Sequence, residues 1–262
     1  AKGADLVKAY RRLAQADVPE AREQVMQFLK SGGGGGRRGN DGEKAKIALI
    51  RVIGQTSPQS YWEVLDSMVG TGQAELRNEI TVALEQLAAP ESVKTLSKAY
   101  KKEKDEEAAR NLLRALAACG GQDKGVRSLL TKAAKQTRDE ALRRNALIGL
   151  GWQVEQEEVR STIETMLEEG STEDRIAAVV GMGISRNELW LDKLKELAKA
   201  EAEPESRDPD LAAGLTLQQA AQAALEVHET GNYRALGAAL QQASGDTIPR
   251  NRLFRPIKEK KE

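Results

Sequence analysis

Aromatic residues, histidine and cysteine are scarce in this sequence, and each shortage excludes a class of structure or chemistry. Aromatic side chains make up 3% of the 262 residues, too few for an interior built on large rings, so Ala and Leu must fill it. His228 is the only histidine and Cys119 the only cysteine. The chain therefore cannot form an internal disulfide or a thiolate zinc cluster, and few side chains suit acid–base catalysis. We predict no catalytic residue, no metal and no cofactor.

The sequence also lacks a net charge and a long apolar run. Its 40 basic and 40 acidic residues cancel, so any electrostatic recognition must be local. No stretch approaches the roughly 18 apolar residues that cross a bilayer, and we expect a soluble protein without membrane insertion. The single cysteine fits a reducing compartment such as the cytoplasm. Because the sequence begins with Ala, an exported form after cleavage of a signal peptide is the alternative.

The sequence does contain a repeat. One basic residue recurs every 31 to 33 positions, at Lys46, Arg77, Arg110, Arg143 and Arg175. A period of this length is typical of stacked supersecondary units.

Small or apolar residues follow each basic residue at fixed offsets. Offsets three and seven predict one face of a first helix, and offsets sixteen and nineteen predict one face of a second helix. The first-helix residues are Leu49, Ile80, Leu113, Ala146 and Ala178 at offset three, and Ile53, Leu84, Ala117, Leu150 and Met182 at offset seven. The second-helix residues are Trp62, Val93, Val126, Val159 and Leu191 at offset sixteen, and Leu65, Leu96, Leu129, Thr162 and Leu194 at offset nineteen.

The boundaries of this array follow from composition. Residues 1–31 carry apolar residues at helical spacing and predict an N-terminal helical hairpin. Residues 32–42 begin with five glycines and predict a mobile Gly-rich linker. Residues 43–245 predict an α-solenoid, whose irregular sixth unit starts at Leu217 after an acidic insertion. Residues 246–262 predict an extended basic tail.

Several single residues are predicted to have structural roles. Cys119 occupies a position that is apolar in other units, so we expect a buried small side chain. His228 ends a first helix, where a positive charge is favoured by the helix dipole. Glycines at offset eight, Gly54, Gly151 and Gly183, are expected to close first helices where neighbours approach closely.

The stretch from Leu76 to Leu96 resembles the short bacterial HEAT-like repeat of the phycobilisome-lyase type. The resemblance rests on an apolar–Arg pair, a small–apolar–Gly helix end, and a Val and a Leu in the second helix. The pair recurs at Ala109-Arg110 and Leu142-Arg143, and the helix end at Gly149-Leu150-Gly151 and Gly181-Met182-Gly183. Over residues 43–243 the resemblance implies an all-α, right-handed α-solenoid of about six HEAT-like hairpins, with second helices on the concave side. It does not imply lyase activity, because function does not follow from fold.

If the second helices line a concave face, basic side chains cluster there and form a candidate partner-binding patch. They are Lys94, Lys98, Lys101, Lys124, Arg127, Lys132 and Lys135. The next second helix is acidic, with Glu157, Glu158, Glu164, Glu168 and Glu169. Ordinary solvated helix faces would show the same charges. The binding interpretation predicts a non-catalytic interaction scaffold or adaptor that holds a partner protein or peptide on the concave face.

Two other functions fit the same residues. Nucleic-acid binding would use the basic patch together with Arg37, Arg38 and the C-terminal tail, and its affinity would fall steeply with salt. A solenoid that acts on DNA bases needs a basic, aromatic-lined groove, for which this sequence has few rings. A structural subunit of a larger assembly is the third candidate.

Overall fold

The structure, a computed structural model, describes residues 8–9, 12–13, 18–31, 37–56, 59–200 and 215–244. The described part is all-α, with no strand, which confirms the predicted fold class. The predicted basic tail at 246–262 and the glycines 32–36 lie outside the described residues. No helix in the described part combines the length and the apolar character needed to cross a bilayer.

The helices follow the repeat along the chain. They are α1 (Pro19–Lys30), α2 (Arg37–Thr56), α3 (Trp62–Met68), α4 (Ala74–Leu87), α5 (Val93–Tyr100), α6 (Glu106–Gly120), α7 (Lys124–Gln136), α8 (Glu140–Leu150), α9 (Glu157–Glu169), α10 (Thr172–Ser185), α11 (Leu191–Lys199), α12 (Leu217–Thr230) and α13 (Gly237–Ser244). Short 3-10 turns precede α3, α5, α11 and α13, and another follows α8. Helix α2 begins at Arg37, inside the segment predicted as a linker, because a helix fixed by packing gains one hydrogen bond for each residue it adds.

The chain divides into two compact units, residues 1–120 and 121–262. In the first unit the first helices α2, α4 and α6 pack in series, and α3 and α5 each pack against the first helix that follows. In the second unit α8, α10 and α12 pack in series, and α7, α9 and α11 each pack against the first helix that follows. Each unit is a serial stack of helical hairpins, which is the arrangement that the period predicts.

The predicted apolar positions form the interior of each stack. Every residue at offsets three and seven is buried, with at most 2% of its surface exposed. At offset sixteen only Val126 and Val159 are buried, whereas the other three residues are half-buried. At offset nineteen Leu129 alone is half-buried. The first helices therefore carry most of the core, and the second helices present one side to solvent.

Local sequence sets where several helices begin. Asp123 precedes α7 and Asp139 precedes α8, and each side chain accepts a hydrogen bond from a main-chain N–H of the first turn. Thr216 caps α12 in the same way, while Gln219 accepts a bond from the Thr216 N–H in a capping box. Such caps satisfy N–H groups that have no partner inside the helix.

Two of the repeated basic residues donate hydrogen bonds to carbonyl groups at the C-terminal end of the helix that precedes their own. Lys46 Nζ donates hydrogen bonds to Leu29 O, at 2.9 Å, and to Ser31 O at the end of α1. Arg175 Nη2 donates to Glu168 O, 3.3 Å away, in the last turn of α9. These carbonyls lack partners within their own helices, and a cation near them also interacts favourably with the helix dipole. The repeat spacing alone did not reveal this role.

The glycines at offset eight are close-contact positions, and the prediction that they close their helices is wrong for two of them. Helices α2 and α10 run two residues beyond Gly54 and Gly183. A Cβ on Gly54 would lie 2.9 Å from the backbone of α4, and one on Gly183 would lie 2.8 Å from a side chain of α12. Gly151 does end α8, and a Cβ there would overlap the carbonyl of Gly181. The three glycines let neighbouring first helices approach.

The sixth unit departs from the regular pattern. Its predicted core positions Ala220, Ala224 and Leu236 are buried, but α13 packs mainly against α10 and α8. The Gln242 side chain ties α13 to the chain before α12, because it accepts a bond from Leu215 N at 2.7 Å and donates one to Leu215 O at 3.4 Å. Helix α10 is therefore surrounded, which is typical of a helix that is apolar on all sides.

Candidate binding site

The seven basic residues predicted as a patch lie on two helices in different units. Lys94, Lys98 and Lys101 belong to α5 and its C-cap in the first unit, and Lys124, Arg127, Lys132 and Lys135 belong to α7 in the second. Six of the side chains are exposed, and Arg127 is half-buried. Residues three and four apart share one side of a helix. Each group therefore forms a basic face within its own unit, and these are called the α5 face and the α7 face.

A pocket of about 460 Å³ opens beside the α5 face. It lies within the first unit, between the turn that follows α3 and parts of α4, α5 and α6. Its charged lining consists of Arg77, Lys98, Lys102 and Glu103. Only Lys98 belongs to the predicted patch. The run of charge after α5 in the sequence could have indicated Lys102, and the repeat had already singled out Arg77.

Arg77 and Glu103 are held by the protein itself. Arg77 Nη1 donates to Gly72 O at 3.0 Å, and Nε lies 3.4 Å from Glu103 Oε2, an ion-pair distance without hydrogen-bond geometry. Glu103 Oε1 accepts bonds from the main-chain N–H groups of Lys104, at 3.0 Å, and Asp105, at 3.1 Å. The single negative charge of the lining is thus compensated before any ligand arrives.

The two hydroxyl groups of the pocket have already used their protons. Thr81 Oγ1 donates to the carbonyl one turn earlier in α4, at 2.9 Å. Thr95 Oγ1 donates to Asp66 Oδ2, also at 2.9 Å. By contrast, Lys98 and Lys102 are exposed, and within the described part of the chain neither ammonium group contacts a carboxylate. The free donors at the pocket are therefore cationic.

The floor of the pocket is apolar. Ala108 and Leu112 of α6 reach it and are each 3% exposed, and the half-buried Ala99 and Val69 complete its walls. Ligand pockets commonly combine an apolar lining with a few polar groups that fix orientation. This pocket has an apolar floor and a positively charged rim.

The second unit carries faces of opposite sign on two neighbouring helices. Helix α9 contacts α7. The five glutamates predicted to form an acidic face of α9 are all exposed. A positive and a negative helix face thus lie next to each other within this unit.

Cys119 is a buried, unreactive thiol, as predicted. Its side chain is 4% exposed, and Sγ donates to Leu84 O at 3.5 Å. Burial raises the pKa of this thiol, with a further contribution from the negative charge of Glu85. A thiol that stays protonated is a poor nucleophile.

His228 lies in the last turn of α12, as predicted, but its surroundings disfavour the positive charge. Partial burial lowers the pKa of His228, and the nearby Arg186 guanidinium lowers it further. Arg186 Nη2 donates to the His228 carbonyl at 3.2 Å. Arg186 therefore places a permanently charged group at this helix end.

No family model and no curated protein matches this sequence. Among solved structures, the chain is similar to the designed armadillo repeat protein YIII(Dq)4CqI, with 16% identity and a TM-score of 0.42 over 78% of this chain and 98% of that one. It is also similar to a computationally designed armadillo repeat protein for modular peptide recognition, with 16% identity and a TM-score of 0.32 over 83% and 98% of the two chains. Neither likeness assigns a family or a function to this chain.

Proposed function

We propose that this protein is a non-catalytic scaffold that binds an acidic segment of a partner protein on the α5 face. The observation that carries the proposal is the row of three exposed lysines, Lys94, Lys98 and Lys101, next to an open pocket. Charge complementarity of this kind speeds encounter and fixes the register of a partner. The α7 face is the second candidate surface and would engage a separate part of the partner.

The chemistry of the described residues supports a scaffold over an enzyme. None of the described residues that line the pocket is a histidine, cysteine or serine. Glu103, the only acid that the structure describes in the lining, is held by Arg77 and two main-chain N–H groups. A general base must be available to take a proton from a substrate, and this carboxylate is committed to the protein.

Charge reversal on the α5 face tests the proposal. The full chain carrying K94E, K98E and K101E should capture its partner from a cell extract at least about tenfold less than the wild type, because attraction becomes repulsion. Bound proteins are identified by mass spectrometry at two salt concentrations, since screening should weaken the wild-type interaction.

A charge-matched variant of the α7 face provides the control. Reversal of Lys124, Lys132 and Lys135 changes the net charge by the same amount and should reduce capture less. Equal losses in both variants would mean that the α5 face is not the principal binding surface. A gel shift of DNA at low salt that the α5 reversal abolishes would assign the face to nucleic acid instead.

A further inference from the structure

The pocket beside α5 selects for an anion by its donors. Thr81 already donates its hydroxyl proton to the Arg77 carbonyl of α4, and Thr95 donates its own to Asp66. The pocket's remaining side-chain donors are the ammonium groups of Lys98 and Lys102, which line the pocket together with one compensated carboxylate. A neutral ligand would leave these charges unmatched, whereas an anion would form charge-assisted hydrogen bonds with them.

The apolar walls of the pocket restrict which anion fits. The half-buried Val69 and Ala99 expose apolar surface there, and a small inorganic ion would leave this surface covered by water. Burying apolar area is favourable by about 25 cal/mol per Å². The ligand is therefore expected to carry an aliphatic group beside its negative charge.

The nature of the cations favours a carboxylate over a phosphate. Recognition of phosphorylated motifs typically relies on clusters of arginine, whose planar group binds two oxygens at once. Arg77 is the only arginine among the described residues of the lining, and it is already engaged by Gly72 and Glu103. Two lysines act as point charges and suit a single carboxylate.

The geometry points to this pocket as the anchor site for one acidic side chain of the partner segment, with a neighbouring aliphatic side chain of that segment packed on Val69 and Ala99. Its volume of about 460 Å³ lies in the range of roughly 300–1,000 Å³ that is typical of ligand pockets. This inference rests on the proposed function, because it specifies what the partner inserts beside the α5 face.

A displayed library of random heptapeptides, fused at both ends so that no terminus is free, tests the inference against the full chain. The enriched peptides should contain an Asp or Glu next to a Leu, Ile or Val. A second library with free C-termini serves as the other arm. Enrichment from that library alone would overturn the assignment to a side chain, and enrichment of peptides without an acid in either library would overturn the anchor itself.

Two matched pairs of substitutions locate the bound peptide. K98E/K102E reverses the lysines of the pocket, whereas K94E/K101E makes the same change of charge on α5 outside the lining. The first should weaken binding of the enriched peptide at least about tenfold. The second should weaken it less than about threefold at 0.15 M salt, where exposed charges are screened over about 8 Å. Equal losses of affinity in the two double variants would contradict the claim that the peptide binds in the pocket.

Ala99→Phe places a larger side chain on the wall of the pocket without a change of charge and should also weaken binding of the peptide at least about tenfold. Circular dichroism checks that each variant is folded. If A99F does not fold, the variants of the exposed lysines still test the inference. If partner capture is lost in the triple α5 reversal but unchanged in A99F and K98E/K102E, the scaffold stands and the anchor pocket is wrong. If the wild-type chain captures no partner, the proposed function itself is wrong.

Discussion

Helix α4 of the first unit carries two buried glutamates, each paired with an arginine of a neighbouring first helix, whereas α10 of the second unit has one such pair, Asp174 with Arg143, and two glycines at close contacts with its neighbours. Arg51 Nε donates to Glu79 Oε1 at 3.1 Å, and Arg114 Nη2 lies 3.1 Å from Glu85 Oε1. At the matching contacts of α10, Gly181 lies against Gly151. One repeat register thus supports two kinds of interface.

Ion pairs and glycine contacts are disrupted by different kinds of substitution. A buried ion pair becomes costly when one partner is removed, because the other charge then stays in the interior unpaired. A glycine contact fails in the opposite way, through the addition of atoms, because close-packed backbones have no room to shift.

The largest effect on stability should come from Arg114→Ala in the first unit. The side chains of Arg114 and Glu85 are only 4% and 6% exposed, so the variant should lose about 3–5 kcal/mol of unfolding free energy. Urea titration followed by circular dichroism measures the loss.

Two controls sharpen this prediction. Lys193→Ala removes one partner of a surface ion pair, in which the Lys193 and Glu196 side chains are 40% and 67% exposed, and should cost about 1 kcal/mol or less. The double variant R114M/E85M removes both buried charges and should recover most of the stability lost in R114A. A double variant as unstable as R114A would show that lost packing, and not an orphaned charge, explains the effect.

A smaller loss is expected for Gly151→Ala in the second unit. The added methyl group would overlap the Gly181 carbonyl, and overpacking of this kind costs about 1–3 kcal/mol. Gly237→Ala is the control, because a Cβ there meets nothing within 4 Å and alanine favours a helix by up to about 1 kcal/mol. If both variants lower the urea midpoint equally, close approach is not the reason for the glycine.

The smallest effect concerns pH and should be confined to the second unit. Because burial lowers the pKa of His228 in the folded state, the unfolded chain binds more protons as the pH falls below the ordinary value of 6.5. The stabilising contribution of the neutral imidazole is present above that value and is lost as the pH falls through the lowered pKa. His228→Gln should remove this component, which the difference in Tm between the two proteins at several pH values reports. A constant difference would contradict the prediction.

The stacked helices could be predicted because the repeat places residues such as Leu49 and Ile53 on one side of each first helix, and all of them are buried. The ion pairs between first helices also have a signal in the sequence, which the apolar repeat does not include. Arg51 and Glu79 are 28 residues apart and Arg143 and Asp174 are 31 apart, so opposite charges nearly one period apart indicate contacts between successive first helices.

The pocket could not be predicted from the repeat. It depends on how the turn after α3 meets the ends of α4, α5 and α6, and turn geometry is not contained in the apolar periodicity. Lys98 and Lys102 are both charged and both lie near the end of α5, but only the fold determines which charged residues share a cavity. The packing of α13 on α10 could not be predicted either, because the spacing of apolar residues shows which side of a helix is buried but not which helix covers it.

The most direct test of the account is a competition measurement on the full chain. The captured partner protein is bound to the wild-type chain, and the acidic peptide selected from the library is added until its own site is saturated. We predict that the peptide displaces the partner, and that its uncharged Gln and Asn counterpart does not. A partner that stays bound while the peptide occupies the pocket would contradict the claim that the α5 face and its pocket form the binding site.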